Sequence, residues 1–248
     1  MLWQCLGGAV ALPLYYAAHL PWATAGRPTR VADASQAGAL PWSYALGALA
    51  PTLAGMGTTW RGAGSRTDAT HQFILGFWQP DPLWVAGLQA LLSALAAASA
   101  RRPGRGGAER RRRTHASFWA RSSYLLAAAT SALAHLYVAG RLLARRDGPA
   151  VSFVRMYVPF LRTGPAGVGH DVLIYGPWLF LQYDFVIIAL SSLSWVYCLL
   201  TAGAAPVVQS KQRAFILLLV GAVTLGPGAT VSLALCYREG MLAEYRGS

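Results

Sequence analysis

The chain is dominated by long apolar runs separated by arginine-rich connectors, and inside a bilayer such a run has one folding solution. No water is available there to satisfy peptide groups, so each segment must close its own hydrogen bonds as a helix. A spanning helix needs about 20 mainly apolar residues, because the hydrocarbon core is about 30 Å thick and a helix rises about 1.5 Å per residue. About six stretches of the 248-residue sequence meet that length: residues 2–21, 40–60, 83–100, 122–140, 172–201 and 214–237. The expected fold is all-α: a polytopic membrane helix bundle forming a single integral membrane domain over residues 1–248.

Composition supports the bilayer as solvent. Hydrophobic side chains make up 55% of the sequence and charged ones only 12%, too few to solvate a globule of this size. The net charge of +12 could suggest nucleic acid, but almost all of it is arginine placed between apolar runs, where basic residues set membrane orientation. Nucleic acid is therefore not an expected partner, whereas membrane lipid is. Counting Lys and Arg on alternate connectors puts the loop holding Arg101, Arg102, Arg105 and the arginines at 110–113 in the cytosol, with a lumenal N-terminus. Arg141, Arg145, Arg146, Arg155 and Arg162 pull the other way and narrow the margin. The first run starts abruptly, without a basic segment before it, which reads as a membrane helix and leaves room for a further helix upstream. Cys5, Cys198 and Cys236 lie in apolar runs without metal or disulfide spacing and read as packing residues.

Two places break the pattern. Pro80 and Pro82 flank Asp81 ahead of the third run, so its entry is expected to be broken or re-entrant. The aromatic and basic stretch at 151–162 is expected to lie along the interface.

With nine acidic residues in the chain, a carboxylate far from any connector stands out. Asp184 is such a residue, set in Tyr175-Gly176-Pro177-Trp178-Leu179-Phe180-Leu181-Gln182-Tyr183-Asp184-Phe185. An ionised carboxylate at the bilayer centre costs about 2.5–3.5 kcal/mol on insertion scales, so it has either a partner or a task. The structural alternative is a hydrogen bond to a neighbouring helix, through a group such as His135. The chemical alternative is proton donation, since burial disfavours the charged form of a carboxyl group. Tyr175, Trp178, Gln182 and Tyr183 would then line the substrate pocket, the rings offering π faces to a developing cation. A second group, His71, Trp78, Gln79 and Asp81, sits at the double-proline break. Asp81 either caps a helix or joins His71 as a base at a cavity mouth. Arg66 and Asp68 read as solvated connector residues. No Walker loop, GxGxxG, HExxH or GxSxG is found, so no nucleotide or metal mechanism is indicated and no cofactor is expected.

Pro13-Leu14-Tyr15-Tyr16, Ala39-Leu40-Pro41, Leu49-Ala50-Pro51-Thr52, Phe77-Trp78-Gln79-Pro80 and Leu181-Gln182-Tyr183-Asp184-Phe185 together resemble segments of a fungal group. These are the small multi-spanning membrane proteins that include the terpene cyclases of ascochlorin and ascofuranone biosynthesis. The resemblance implies a membrane enzyme of the endoplasmic reticulum that cyclises a farnesyl chain on an aromatic or polyketide head, sometimes after terminal epoxidation. Like that group, the sequence has no DDxxD and no DxDD, and it departs from the indole-diterpene cyclases, whose early Asn and Glu pattern is missing. The expected reaction is protonation of an epoxide or alkene by Asp184, cation stabilisation by Tyr183 and Trp178, and final proton loss to Asp81 or His71, on a hydrophobic prenylated substrate. A channel or transporter, and a scaffold without catalysis, remain competing functions. Internal repeats or a polar pore face would favour the former, and dispensability of Asp184 the latter.

Overall fold

The computed structural model describes residues 7–25, 33–56, 66–99, 108–144, 152–159, 172–202 and 207–245, and these are helical throughout, joined by turns. Helix α1 is Gly8–Thr24, α2 Ala34–Tyr44, α3 Ala50–Met56, α4 Asp68–Trp78 and α5 Asp81–Ser99. They are followed by α6 Ala108–Leu143, α7 Phe153–Tyr157, α8 Val172–Thr201, α9 Lys211–Thr224 and α10 Pro227–Tyr245. A π-helical turn, Ala45–Leu49, joins α2 to α3. Hydroxyl side chains start several helices: Thr67, Ser152 and Ser210 each accept from the amide three residues on, at 3.2 Å.

Three described helices are long and apolar enough to cross a membrane: Asp81–Ser99, Thr114–Leu143 and Gly176–Thr201. The surface is inverted relative to a water-soluble protein. Leu133 is 68% and Val223 71% exposed, while the buried set is rich in small residues such as Ala37, Ala39, Ser43, Ala116, Ala128 and Ala229. Lipid is as apolar as leucine, so large side chains gain little by turning inward, and small ones let helices approach.

The expected run at 214–237 is two helices rather than one. Between them Gly226 has a φ of 90°, which side-chain-bearing residues rarely adopt, and Pro227 follows as the first residue of α10. A Cβ at Gly226 would lie 2.9 Å from the His135 ring, whose Nε2 donates to the Val223 carbonyl at 3.2 Å in the last turn of α9. Thus His135 secures this break and is no partner for Asp184 through that nitrogen. We expect Gly226→Ala to cost about 1–3 kcal/mol through backbone strain and displacement of the ring, read as a lower thermal midpoint in detergent.

The chain divides into two compact units, one of Pro28–Leu126 with Leu235–Ser248 and Met1, the other of Leu2–Arg27 with Ala127–Ala234. In the first, α2 and the π turn lie along α5. Gly47 permits this, because a Cβ there would fall within 2.9 Å of the Val85 backbone. A polar clamp crosses the same contact: Ser43 Oγ donates to Gln89 Oε1 at 2.7 Å, and Gln89 Nε2 donates to the Gln36 carbonyl at 2.8 Å. Arg66 differs from its expected solvated state, being half-buried with its guanidinium donating to the Gly55 carbonyl at the end of α3. Asp68 is exposed, in the first turn of α4. In the second unit α1 runs parallel to α8, with α7 and α9 also packed on α8. Cys198 is half-buried and Cys236 buried, both as free thiols, while Cys5 lies outside the described residues.

Candidate functional site

Asp184 lies twelve residues into α8 and reaches the start of α1. Its Oδ1 accepts from the Ala9 amide at 2.7 Å, one of the amides that the first turn of a helix leaves without an internal partner. Two glycines make the approach possible. Gly7 caps α1 with a φ of 83°, and a Cβ on Gly8 would meet the Ile188 side chain at 2.5 Å and Asp184 Oδ2 at 3.4 Å. The Phe180 ring covers the same corner, 3.4 Å from a Cβ built on Gly7. Oδ1 is held by the helix, while Oδ2 has no hydrogen bond among the described residues. A carboxyl group so arranged has one fixed oxygen and one that can carry a proton.

The residues expected to wall this carboxyl group divide in their roles. Trp178 Nε1 donates to the Arg155 carbonyl at 3.2 Å, and the Arg155 guanidinium sits over the Trp178 ring, 5.1 Å from its centroid. Gln182, 6% exposed, donates through Nε2 to the same carbonyl and, at 3.4 Å, to those of Met156 and Val158. Both side chains therefore strap α7, the described part of the stretch at 151–162, onto α8. Tyr157 packs against Phe185 at 5.4 Å between centroids, and burial pushes its phenol up. Tyr183 is half-buried, with no hydrogen bond or ring contact among the described residues. The side chain of Tyr175 lies outside the described residues. We expect Gln182→Leu to loosen the strap and raise trypsin cleavage after Arg155 about fivefold to tenfold, from the loss of about 1–1.5 kcal/mol of hydrogen bonding.

His71, Trp78, Gln79 and Asp81 belong to the first unit. The double-proline entry is a helix–turn–helix: α4 ends at Trp78, Gln79 and Pro80 form the turn, and Asp81 opens α5. The Leu83 amide donates to the Pro80 carbonyl at 2.8 Å. Trp78 Nε1 donates to Thr52 Oγ1 at 2.9 Å, tying α4 to α3, while Gln79 is exposed and His71 half-buried.

One cluster escaped the sequence reading. Farther along the α1–α8 contact, Tyr16 stacks on Trp195 at 4.7 Å and 20°, and its hydroxyl is 3.0 Å from Ser192 Oγ. Trp195 Nε1 donates to His19 Nδ1 at 3.3 Å, and Tyr15 stacks on His19 at 5.5 Å. An indole nitrogen only donates, so the neutral His19 ring carries its proton on Nε2. The signal was present as Tyr15, Tyr16, His19 and Trp22 on one short stretch, but nothing local to that run shows that it meets Trp195.

Comparison with known proteins adds the family. Terpene cyclase DEP1 of Fusarium langsethiae is 27% identical over 250 residues, covering 94% of this chain and 65% of that protein. Terpene cyclase DEP1 of Alternaria brassicicola is 30% identical over 136 residues, covering 48% of this chain and 37% of that protein. The chain thus spans less than two thirds of the length of either relative. No solved structure matches it. The CtvD domain model matches residues 1–243, nearly the entire sequence, and the chain belongs to the CtvD-domain family.

Proposed function

We propose that this protein is a membrane-bound terpene cyclase, resident in the endoplasmic reticulum, that cyclises a farnesyl chain on a prenylated, meroterpenoid-type substrate by acid initiation. Similarity to two fungal terpene cyclases supports the class. The placement of Asp184 is the observation that carries the chemistry, because its Oδ1 is anchored on the Ala9 amide while Oδ2 lacks a hydrogen bond among the described residues.

In the proposed reaction the Oδ2 proton passes to a terminal epoxide oxygen, and the carbon–oxygen bond opens. The adjacent alkene supplies its electron pair to the carbon left deficient, each new carbon–carbon bond moving the positive charge along the chain. Loss of a proton from carbon ends the sequence, so the product is an isomer of the substrate. With an alkene in place of the epoxide, the same proton goes to the terminal carbon. Asp81 and His71 are proposed, on chemical type alone, as bases for the last step. No cofactor is needed for this balance. An apolar surround keeps water from the cation.

The test is conversion by microsomes from a heterologous host given a farnesylated aromatic substrate, with and without its terminal epoxide, for wild type and Asp184→Asn. The expected result is a cyclised isomer from the wild type and its loss in the variant at equal protein level. Equal product from both would remove Asp184 from the chemistry, and no product from either would leave a scaffold or transport role.

A further inference from the structure

We propose that Tyr16, His19 and Trp195 form a cradle for a flat, conjugated, oxygen-bearing ring: the head of an amphiphilic substrate whose tail runs along α1 and α8 toward Asp184. The proposal rests on the cyclase reading and adds the site that holds the other end of the molecule.

An ordinary interfacial belt presents aromatic rings singly, with their polar atoms directed to the headgroup layer. Here the polar atoms are turned to each other. The Trp195 indole proton goes to His19, and the Tyr16 hydroxyl pairs with Ser192, which is 9% exposed. Those bonds cross from α1 to α8 and fix the orientation of the rings before any ligand arrives, which lowers the ordering cost of binding. The cluster is not simply core, because Tyr16, His19 and Trp195 are all half-buried and the flanking Tyr15 and Trp22 are 54% and 55% exposed. Fixed, accessible π faces suit a planar conjugated ligand, which stacks in the offset or edge geometry that the rings already adopt among themselves.

Position along the helices supplies the second argument. Trp195 is six residues from the end of α8 and His19 five from the end of α1, so the cluster is one to two turns from both helix ends. Amphipathic rings settle at that level, with one side wet. Asp184 lies eleven residues back along α8, about 16 Å at a rise of about 1.5 Å per residue. That span suits an extended prenyl chain. An oxygenated head therefore stays near the interface while the far end of the tail reaches the carboxyl group.

The test is equilibrium binding to the full-length protein in lipid-doped detergent, using a farnesylated resorcinol as the ring-headed probe and farnesol as the headless one. Wild type is expected to bind the ring-headed probe about tenfold more tightly, the scale of one good aromatic stack. Trp195→Leu is expected to erase the preference, Trp195→Phe to keep most of it, and Phe215→Leu, on α9, to leave it unchanged. If Trp195→Leu misfolds, Tyr16→Leu serves as the second probe of the same cradle. Absence of a preference in the wild type, or its survival in the leucine variants, overturns the cradle. Turnover is followed in parallel. Binding preference without cyclised product counts against the cyclase reading alone, and product without preference counts against the cradle alone.

Discussion

Asp184→Asn is expected to lower the cyclisation rate by about 10²–10⁴-fold, the usual contribution of a positioned general acid, with little change in thermal stability. The separation follows from the geometry of the carboxyl group. An asparagine carbonyl can accept the Ala9 amide in place of Oδ1, whose distance is 2.7 Å, so the start of α1 stays tied to α8. Only the acidic proton is lost. Asp184→Ala removes both functions, and the uncapped amide is expected to cost about 0.5–2 kcal/mol of stability in addition. Turnover in microsomes, read beside the detergent melting midpoint, distinguishes the two substitutions. If asparagine and alanine destabilise equally and asparagine retains turnover, the carboxyl group is a helix anchor and the chemistry lies elsewhere.

Gly47→Ala is expected to produce the largest stability loss of any glycine-to-alanine change among the described residues of the first unit, about 1–3 kcal/mol. The new methyl would sit 2.8 Å from the Val85 amide nitrogen and 2.9 Å from its Cα, and backbone cannot swing aside as a side-chain tip does. The helices must part, which stretches the Ser43–Gln89 bond of 2.7 Å and the Gln89–Gln36 bond of 2.8 Å. Because these contacts share one interface, Gly47→Ala and Gln89→Leu are expected to combine with less than additive cost. Gly87→Ala, on the same α5, meets nothing within 4 Å and serves as the control. It should be neutral or stabilising, since alanine is the better helix former by about 1 kcal/mol. Chemical or thermal unfolding in micelles measures all three, and equal losses at positions 47 and 87 would contradict the close approach.

The two substitutions also show what was legible. The span expected at 172–201 coincides with α8, and the expected break at Asp81 is found there, because hydropathy and proline act locally. The run expected at 2–21 is described as Gly8–Thr24, continuing through Pro13 and Pro21. The run expected at 214–237 was read through Leu225-Gly226-Pro227-Gly228, whose turn chemistry was in plain view but whose flanks are apolar enough to mask it. Of the about six spans expected, three described helices have the length and apolarity to cross. At the site, Asp184 was singled out by the cost of a carboxylate in hydrocarbon, yet its partner was not. His135 was the named candidate, while the observed donor is an amide 175 positions away. Trp178 and Gln182 were expected to face substrate, and the structure adds that their N–H groups bond the α7 backbone.

The sequence alone determined the class of structure, the solvent it folds in and the one carboxyl group that solvent penalises. Those follow from segment length and from transfer energies, which any single helix expresses without its neighbours. Tertiary structure decided which faces meet: α1 beside α8, Gly47 against Val85, Tyr16 and His19 on Trp195. A helix that is apolar all round carries no periodic stripe to mark its packed side. Its partner is then chosen by small residues and a few polar contacts, and these become visible only when the helices are set side by side.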